Sequence, residues 1–175
     1  MAVQQFSLTT GQRAERKLLI TVAEWTEDGA TSPVREILGT RTEDSSIEYN
    51  PDIETTTDIL GINYTDLNKT QPQQDFDPYL ILGGSKLGAK LNDIRRRNAL
   101  SELSDFTVYI ITAFVDSGTS GTHSYAAEKH TGCTIAYNSI GGDSNVNFPI
   151  SVYFSNNIVT GHVDKLADDF EFTAD

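Results

Sequence analysis

The segment 106–115 constrains the fold most, because it is apolar on both faces that a β-strand presents. Its members divide by parity into two apolar sets: Phe106, Val108, Ile110 and Phe114, and Tyr109, Ile111, Ala113 and Val115. Alternate side chains of a strand point to opposite sides of the sheet, so this strand must be covered on both sides. The segment predicts a central, doubly covered strand, and we expect one small domain to supply that cover incompletely.

Several shorter segments, in which apolar and polar residues alternate, predict further strands. They occupy residues 17–25, 34–41, 45–60, 133–137 and 148–163. Gly61 is expected to turn the chain into a returning strand through Tyr64 and Leu67. Asn156-Asn157 predicts a tight hairpin turn inside the last segment, because Asn tolerates positive φ.

One helix is predicted over residues 85–98. Ser85 can cap its first turn. Apolar residues recur at helical spacing along one face: Leu87, Leu91 and Ile94. Three arginines lie in the last turn, where cations complement the helix dipole: Arg95, Arg96 and Arg97.

These elements predict a mainly β fold, a β-sandwich or partial barrel of antiparallel strands with one flanking α-helix. The chain has 175 residues, a length that suits one domain. The polar residues 1–16 are interpreted as an N-terminal arm. Residues 17–175 are interpreted as a single β domain that ends in an acidic C-terminal tail.

The charge balance argues against a DNA-binding function. There are 25 acidic and 13 basic residues, a formal net charge of −12, and proteins bind DNA mainly by neutralising phosphates. The acidic excess also has the simpler role of keeping a protein soluble. The lone cysteine, Cys133, excludes an intrachain disulfide and a cysteine zinc cluster. No apolar run could span a bilayer and no secretory signal is recognisable, so we expect no membrane association.

Four carboxylates share one parity of the segment 45–60: Glu48, Asp52, Glu54 and Asp58. The opposite parity is apolar or β-branched, although Pro51 indicates an interruption, a bulge or an edge position. Like charges along one face of a strand are costly unless water or counterions surround them. Two explanations stay open, a solvated outer face and the wall of a water-filled channel. A negatively lined channel would let DNA slide without adhering.

The helix-end arginines admit two explanations, phosphate binding and pairing with an acidic surface. Successive residues of a helix point in directions roughly 100° apart, which disfavours a single phosphate site. The segment 85–98 has five basic residues and one acidic residue, whereas 42–77 has nine acidic and one basic. We therefore expect Arg95, Arg96 and Arg97 to pair with carboxylates, within the chain or on a neighbouring subunit, and predict that they contact other subunits.

Patterns for catalysis or cofactor binding are weak. Three histidines lie outside any nucleophile, zinc-protease or P-loop motif: His123, His130 and His162. Cys133 and His130, three apart in a strand, would not face each other, so Cys133 is interpreted as a packing residue. Asp75 and Asp77 lack further metal ligands nearby, and Gly83-Gly84-Ser85 suits helix capping better than anion binding. We expect no enzymatic activity, no metal and no cofactor.

The order of several segments and their residue patterns resemble those of the major tail (tail tube) proteins of tailed bacteriophages. The resemblance begins with SIEYNPDIETTTDILGINYTD and DFDPYLI, an acidic, Thr-rich strand pair followed by a DPY-type element and an amphipathic helix. It continues through the Arg-rich helix end, ALSELSDFTVYIITAFVD, AAEKH and SIGGD. It covers about residues 36–165.

The resemblance implies hexameric rings that stack into a hollow tube, whose inner wall is a continuous barrel of strands from all subunits. Glu48, Asp52, Glu54 and Asp58 would then face the lumen through which DNA passes during ejection, without specific binding. The partners it implies are further copies of the chain and other tail proteins, such as the tape measure and the terminator. The implied location is the virion tail, assembled in the bacterial host cytoplasm from a phage or prophage gene.

Other functions remain open on the sequence alone. A tail terminator or a capsid-decorating subunit would form isolated oligomers rather than tubes. A ring protein of a contractile injection machine would share the stacked rings. A small hydrolase would need activity from Asp, His or Cys133 side chains. We expect the arm 1–16 and the loops 62–78 and 116–128 to serve contacts between rings, because they are long and polar.

Overall fold

The computed structural model describes residues 6–118 and 122–175. The described chain contains eleven strands: β1 (Leu19–Trp25), β2 (Val34–Ile37), β3 (Ile47–Glu48), β4 (Asp52–Thr57), β5 (Asn63–Lys69), β6 (Gln73–Phe76), β7 (Phe106–Asp116), β8 (Tyr125–Tyr137), β9 (Ile150–Tyr153), β10 (Ile158–Val163) and β11 (Phe172–Ala174). It also contains the helix α1 (Lys86–Arg97) and two short 3-10 helices, Arg16–Leu18 and Leu100–Ser104. The predicted mainly β fold class with one α-helix is confirmed for this part of the chain.

Nine strands form one antiparallel sheet, and the remaining two form a separate hairpin. The order in the large sheet is β2-β1-β7-β8-β9-β6-β3, with β10 and β11 attached beside β8. The hairpin pairs β4 with β5. The doubly apolar strand of the sequence, β7, lies near the middle of the large sheet, as its pattern predicts.

The large sheet is strongly curved: strands that are far apart in its order come close enough to contact each other through buried polar side chains. Thr21 of β1 donates from Oγ1 to Oε1 of Gln74 in β6 at 2.7 Å, although three strands separate β1 from β6. Gln74 Nε2 donates to Ser45 Oγ at 3.1 Å. The main core fills the inside of this curl, where Phe106, Val108 and Ile110 pack.

The chain itself covers both faces of β7, and the expectation of incomplete cover is wrong. Tyr109 and Ile111, on the outer face, pack with Val163 and Phe170 in a second core. The Tyr109 and Phe170 rings lie 4.9 Å apart, edge to face. The acidic C-terminal tail therefore folds back over the sheet, since its aromatic residues fill the outer core while its carboxylates stay in solvent.

The predicted hairpin turn at Asn156-Asn157 is also wrong. β9 pairs with Thr134–Tyr137 and β10 pairs with Tyr125–His130, so both run antiparallel to β8 in the same direction. Thr131 N–H donates to Asn157 O at 3.1 Å between the two strands. Four residues, 154–157, lie opposite three, 131–133, which makes a bulge in one long strand. Neither asparagine has positive φ.

The helix α1 begins and ends as its sequence predicts. Ser85 Oγ accepts the Gly88 N–H at 3.1 Å, and Leu87, Leu91 and Ile94 are buried in the main core. Glu36 of β2 adds a second cap, because its carboxylate accepts the backbone N–H groups of residues 86 and 87 at 2.5 and 3.0 Å. This side chain occupies the position that an external anion would need beside Gly83-Gly84-Ser85.

The described part of the predicted arm contacts the end of β7. Ser7 N–H donates to Phe114 O at 2.9 Å, and the Phe6 ring lies 5.5 Å from the Phe114 ring. Residues 1–5 of the arm lie outside the described residues.

Candidate functional site

The hairpin of β4 and β5 differs from the rest of the molecule because it contributes nothing to either core. All residues of both strands are exposed. Within the described chain, neither strand pairs with any strand other than its hairpin partner. Isolated two-stranded hairpins are marginally stable in water, and unpaired strand edges promote pairing with other chains. The hairpin is therefore the part of this fold that most needs a partner.

The two faces of the hairpin differ in character. Ile53 lies opposite Leu67, and Thr55 lies opposite Thr65, so one face is apolar and β-branched. The other face carries Thr56, Tyr64 and three polar residues: Glu54, Asp66 and Asn68. This alternation of polar and apolar side chains is typical of a sheet with one solvent-exposed face and one face packed against other residues. In the single chain both faces are wet, which leaves Ile53 and Leu67 exposed.

Both outer edges of the hairpin present backbone groups for further pairing. Asp58 N–H donates to Ile62 O at 3.0 Å next to the Thr57–Asn63 pair. Because hydrogen-bonded and non-bonded pairs alternate in an antiparallel ladder, Thr55 and Thr65 form a non-bonded pair. Their N–H and C=O groups consequently point outward, Thr55 along the β4 edge and Thr65 along the β5 edge.

Asp58 fixes the turn of the hairpin. Its Oδ1 accepts the N–H groups of Leu60 and Ile62 at 2.8 and 2.9 Å, and its Oδ2 accepts the Tyr64 hydroxyl at 3.2 Å. The hydrogen bond from Ile62, with help from Leu60 and Tyr64, lowers the pKa of Asp58. The turn thus holds its shape and its negative charge while its apolar residues stay exposed.

The four predicted channel carboxylates do not lie on one continuous strand. Glu48 belongs to β3 at the edge of the large sheet, whereas Asp52 and Glu54 lie in the hairpin and Asp58 lies in its turn. Asn50, with φ of 42°, and Pro51 interrupt the strand between β3 and β4, as the proline indicates. Because of this break, the alternation of side chains along β3 does not predict which face Asp52 lies on.

Sequence reasoning missed one carboxylate, Asp66, which lies directly opposite Glu54. Asp66 was visible in the return strand, but residues 54 and 66 lie face to face only because the turn is centred on residue 60, one position before Gly61. Side chains so placed have Cβ atoms about 4.5–5.5 Å apart, and two like charges there are destabilising. Water and counterions can screen these two charges, because both side chains are exposed.

The three helix-end arginines have different surroundings. Arg97 pairs within the chain, with Asp93 at 2.7 Å and with both carboxylate oxygens of Glu102 at 2.7 and 3.0 Å. Arg95 donates only to the neutral Asn92, at 2.9 Å. Neither Arg95 nor Arg96 forms an ion pair with a carboxylate of the described chain. The intrachain alternative thus holds for Arg97, whereas the contact of Arg95 and Arg96 with other subunits stays a prediction.

The other candidate residues have local structural roles. Cys133 is buried and its Sγ lies 3.5 Å from His130 O, while burial raises the pKa of its thiol. Asp75 accepts from Gln73, and Asp77 accepts from Asn147 at 3.0 Å. Among residues 6–118 and 122–175, no group of three His, Cys, Asp or Glu side chains could hold a metal ion. No helix of that part is long and apolar enough to cross a membrane.

No protein-family model matches the chain, and no curated protein matches it.

Proposed function

We propose that the protein is a structural subunit that self-assembles into stacked rings, forming the tail tube of a bacteriophage. One observation carries this proposal: the hairpin of β4 and β5 has exposed faces and two outward-facing edges, and it packs on neither of the two cores. A hairpin with these properties gains most from pairing with identical copies of itself. The resemblance to major tail proteins supports the same function.

Equivalent hairpins side by side would alternate as β4-β5-β4-β5, and every new pair would be antiparallel. A head-to-tail contact of this kind closes into a ring where the rotation allows, and closure removes the exposed edges. The ring is expected to be hexameric, as the tail-tube resemblance implies. Its wall would be a β-barrel with one wet face and one packed face.

The acidic face of the hairpin suits the inside of such a ring. In this proposal Asp52, Glu54 and Asp66 face the channel, with Glu48 and Asp58 near its two borders. Water in the channel would lower the cost of the Glu54–Asp66 repulsion. DNA would pass without adhering, because the hairpin has four carboxylates and a single lysine, Lys69, which lies opposite Asp52. The expected partners are other copies, a tape measure protein and a terminator, and the expected location is the virion tail.

Electron microscopy of the purified chain tests the proposal. The wild-type protein is expected to form tubes or stacked rings at high concentration. Thr55→Pro removes one outward N–H from the β4 edge without removing a backbone hydrogen bond inside the hairpin, so we expect it to abolish or shorten the tubes. Thr55→Val is the matched control, because it keeps the N–H group and the β-branched shape.

Different images would lead to different conclusions. Isolated rings that never stack would favour a terminator or a capsid-decorating subunit over a tube protein. Tubes of Thr55→Pro as long and as numerous as those of Thr55→Val would show that the β4 edge is not the contact. A chain that forms no oligomer at any concentration would remove the proposed function.

A further inference from the structure

Two surfaces outside the wall of the proposed ring look incomplete, and the first is at the end of α1. We call it the helix end and define it as Arg95, Arg96 and Leu100. Leu100 is 54% exposed, and both guanidinium groups are exposed. Arg is enriched in protein contacts, where its guanidinium group binds carboxylates strongly.

The second surface is the hairpin turn, defined as residues 58–62. Ile59 is 102% exposed and Leu60 is 78% exposed, so these side chains have almost no contact with the rest of their own chain. The turn is nevertheless fixed by the hydrogen bonds of Asp58. A rigid apolar projection loses little conformational entropy on binding, which makes it a well-prepared docking element.

The charges of the two surfaces are opposite. The hairpin turn has one carboxylate, Asp58, and no basic residue. The helix end contributes two arginines without a carboxylate partner in the described chain. Complementary charges of this kind fix the orientation of a contact and speed its formation. The apolar residues of the turn, Ile59 and Leu60, would cover Leu100.

We propose that the hairpin turn of one copy docks on the helix end of a neighbouring copy. The contact rests on the proposed self-assembly and adds to it a second interface, distinct from the strand edges. Because each such contact is small, it would act through the many copies of an assembled ring. It assigns Arg95 and Arg96 a partner, and it gives the exposed apolar turn a function.

Disulfide trapping between copies tests the contact. A chain with Ile59→Cys, carrying a size tag, is mixed with an untagged chain with Leu100→Cys and oxidised under assembly conditions. The native Cys133 is buried, so it does not compete. The tagged–untagged disulfide dimer is expected to be the main cross-linked product. The control mixes the same tagged chain with Ile140→Cys, another exposed apolar position.

Sedimentation of the same samples separates the possible outcomes. If the chains assemble but the Ile59–Leu100 dimer is no more abundant than the control dimer, the docking contact is wrong and the proposed function stands. If the chains remain monomeric, the docking contact and the proposed function both fail. A separate chain that carries both substitutions completes the test: if it forms the disulfide only within itself, the turn contacts its own helix end and the proposal is overturned.

A charge variant gives a second readout. Arg95→Ala with Arg96→Ala is expected to raise the concentration needed for assembly about tenfold, with a smaller effect at high salt. Lys86→Ala with Lys165→Ala removes the same charge from exposed pairs with Asp168 and Asp169, which contribute little. This control is expected to assemble like the wild type. An equal change in both variants would mean that net charge, not the helix end, controls assembly.

Discussion

At the scale of single residues, a series of buried, hydrogen-bonded polar side chains links distant strands of the curled sheet. Gln74 is buried and joins Thr21 of β1 to Ser45, whose hydroxyl donates to Asp75 O at 2.7 Å. Every member has a partner, and no described buried side-chain polar atom is left unpaired. Hydrogen bonds offset the desolvation cost of buried polar groups, so these side chains can link distant strands without a large loss of stability.

Gln74→Leu should destabilise the protein by about 1–3 kcal/mol, because the Thr21 hydroxyl would lose its buried acceptor. Chemical denaturation followed by circular dichroism measures the loss. Adding Thr21→Val should recover much of it, since both polar groups are then replaced by apolar ones. A double variant that is less stable than Gln74→Leu alone would contradict this explanation.

Another residue-scale feature is the bidentate pair of Arg97 and Glu102. Hydrogen bonds from Arg97 and Lys90 lower the pKa of Glu102 to about 2. The folded-state pKa lies below the ordinary value of about 4.3, so the pair stabilises the fold above that pH. The contribution falls as the pH drops from about 5 to 2, where the folded protein also takes up the proton.

Glu102→Gln tests this pH dependence. Wild type should unfold at a higher temperature than the variant at neutral pH, and the difference should disappear between about pH 5 and pH 2. Thermal melts of both proteins across that range measure it. A difference that stays constant down to pH 2 would show that the Glu102 charge is not what stabilises the helix end.

At the scale of elements, the hairpin of β4 and β5 packs on neither core, so it can be considered apart from the remaining described residues, which we call the body. Its strands bury no side chain, and its base is closed by a hydrogen bond from Gln71 N–H to Tyr49 O at 2.9 Å. The free energy of unfolding should depend mainly on the buried apolar surface, which lies almost wholly in the two cores. Assembly should follow the hairpin.

Replacing residues 52–69 with Asn-Gly should leave a folded, monomeric body. The midpoint of thermal unfolding should change little, because no core residue is lost and a shorter loop costs less entropy to close. Light scattering should show that the variant no longer assembles. Loss of cooperative unfolding would place the hairpin in the core of the fold, and continued assembly would place the contact elsewhere.

Elements with strong local periodicity could be predicted from the sequence. Strand β7 and helix α1 follow from the spacing of their apolar residues, and the return strand through Tyr64 and Leu67 is present. The prediction of a hairpin turn at Asn156-Asn157 was wrong, because a bulge and a hairpin turn use similar residues. The pairing of both flanking strands with β8 decides between them. The role of Phe170 depends on contact with Tyr109, 61 positions earlier, which no local pattern reveals.

The candidate site was predictable in part for the same reason. Alternation identified the acidic strand, and local hydrogen bonding explains why Asp58 lies in the turn. The break at Asn50 removed Glu48 from the shared face, because positive φ redirects the chain. The different surroundings of Arg95 and Arg97 depend on where Glu102 falls, and only the folded chain gives that position.

At the scale of the whole molecule, the chain covers its two cores by itself, and the hairpin of β4 and β5 takes no part in them. The C-terminal tail covers the outer face of β7, and α1 together with the curled sheet encloses the main core. The cover expected from neighbouring copies is therefore supplied internally. The hairpin of β4 and β5, with its edges and its exposed turn, packs on neither core.

The solution mass of the full-length chain, followed by sedimentation velocity from micromolar to millimolar concentration, tests this account most directly. Pairing through the hairpin predicts closed rings that grow into longer particles as the concentration rises. A single species with the mass of one chain over the whole range would contradict it, since the open strand edges would then have no use in joining copies.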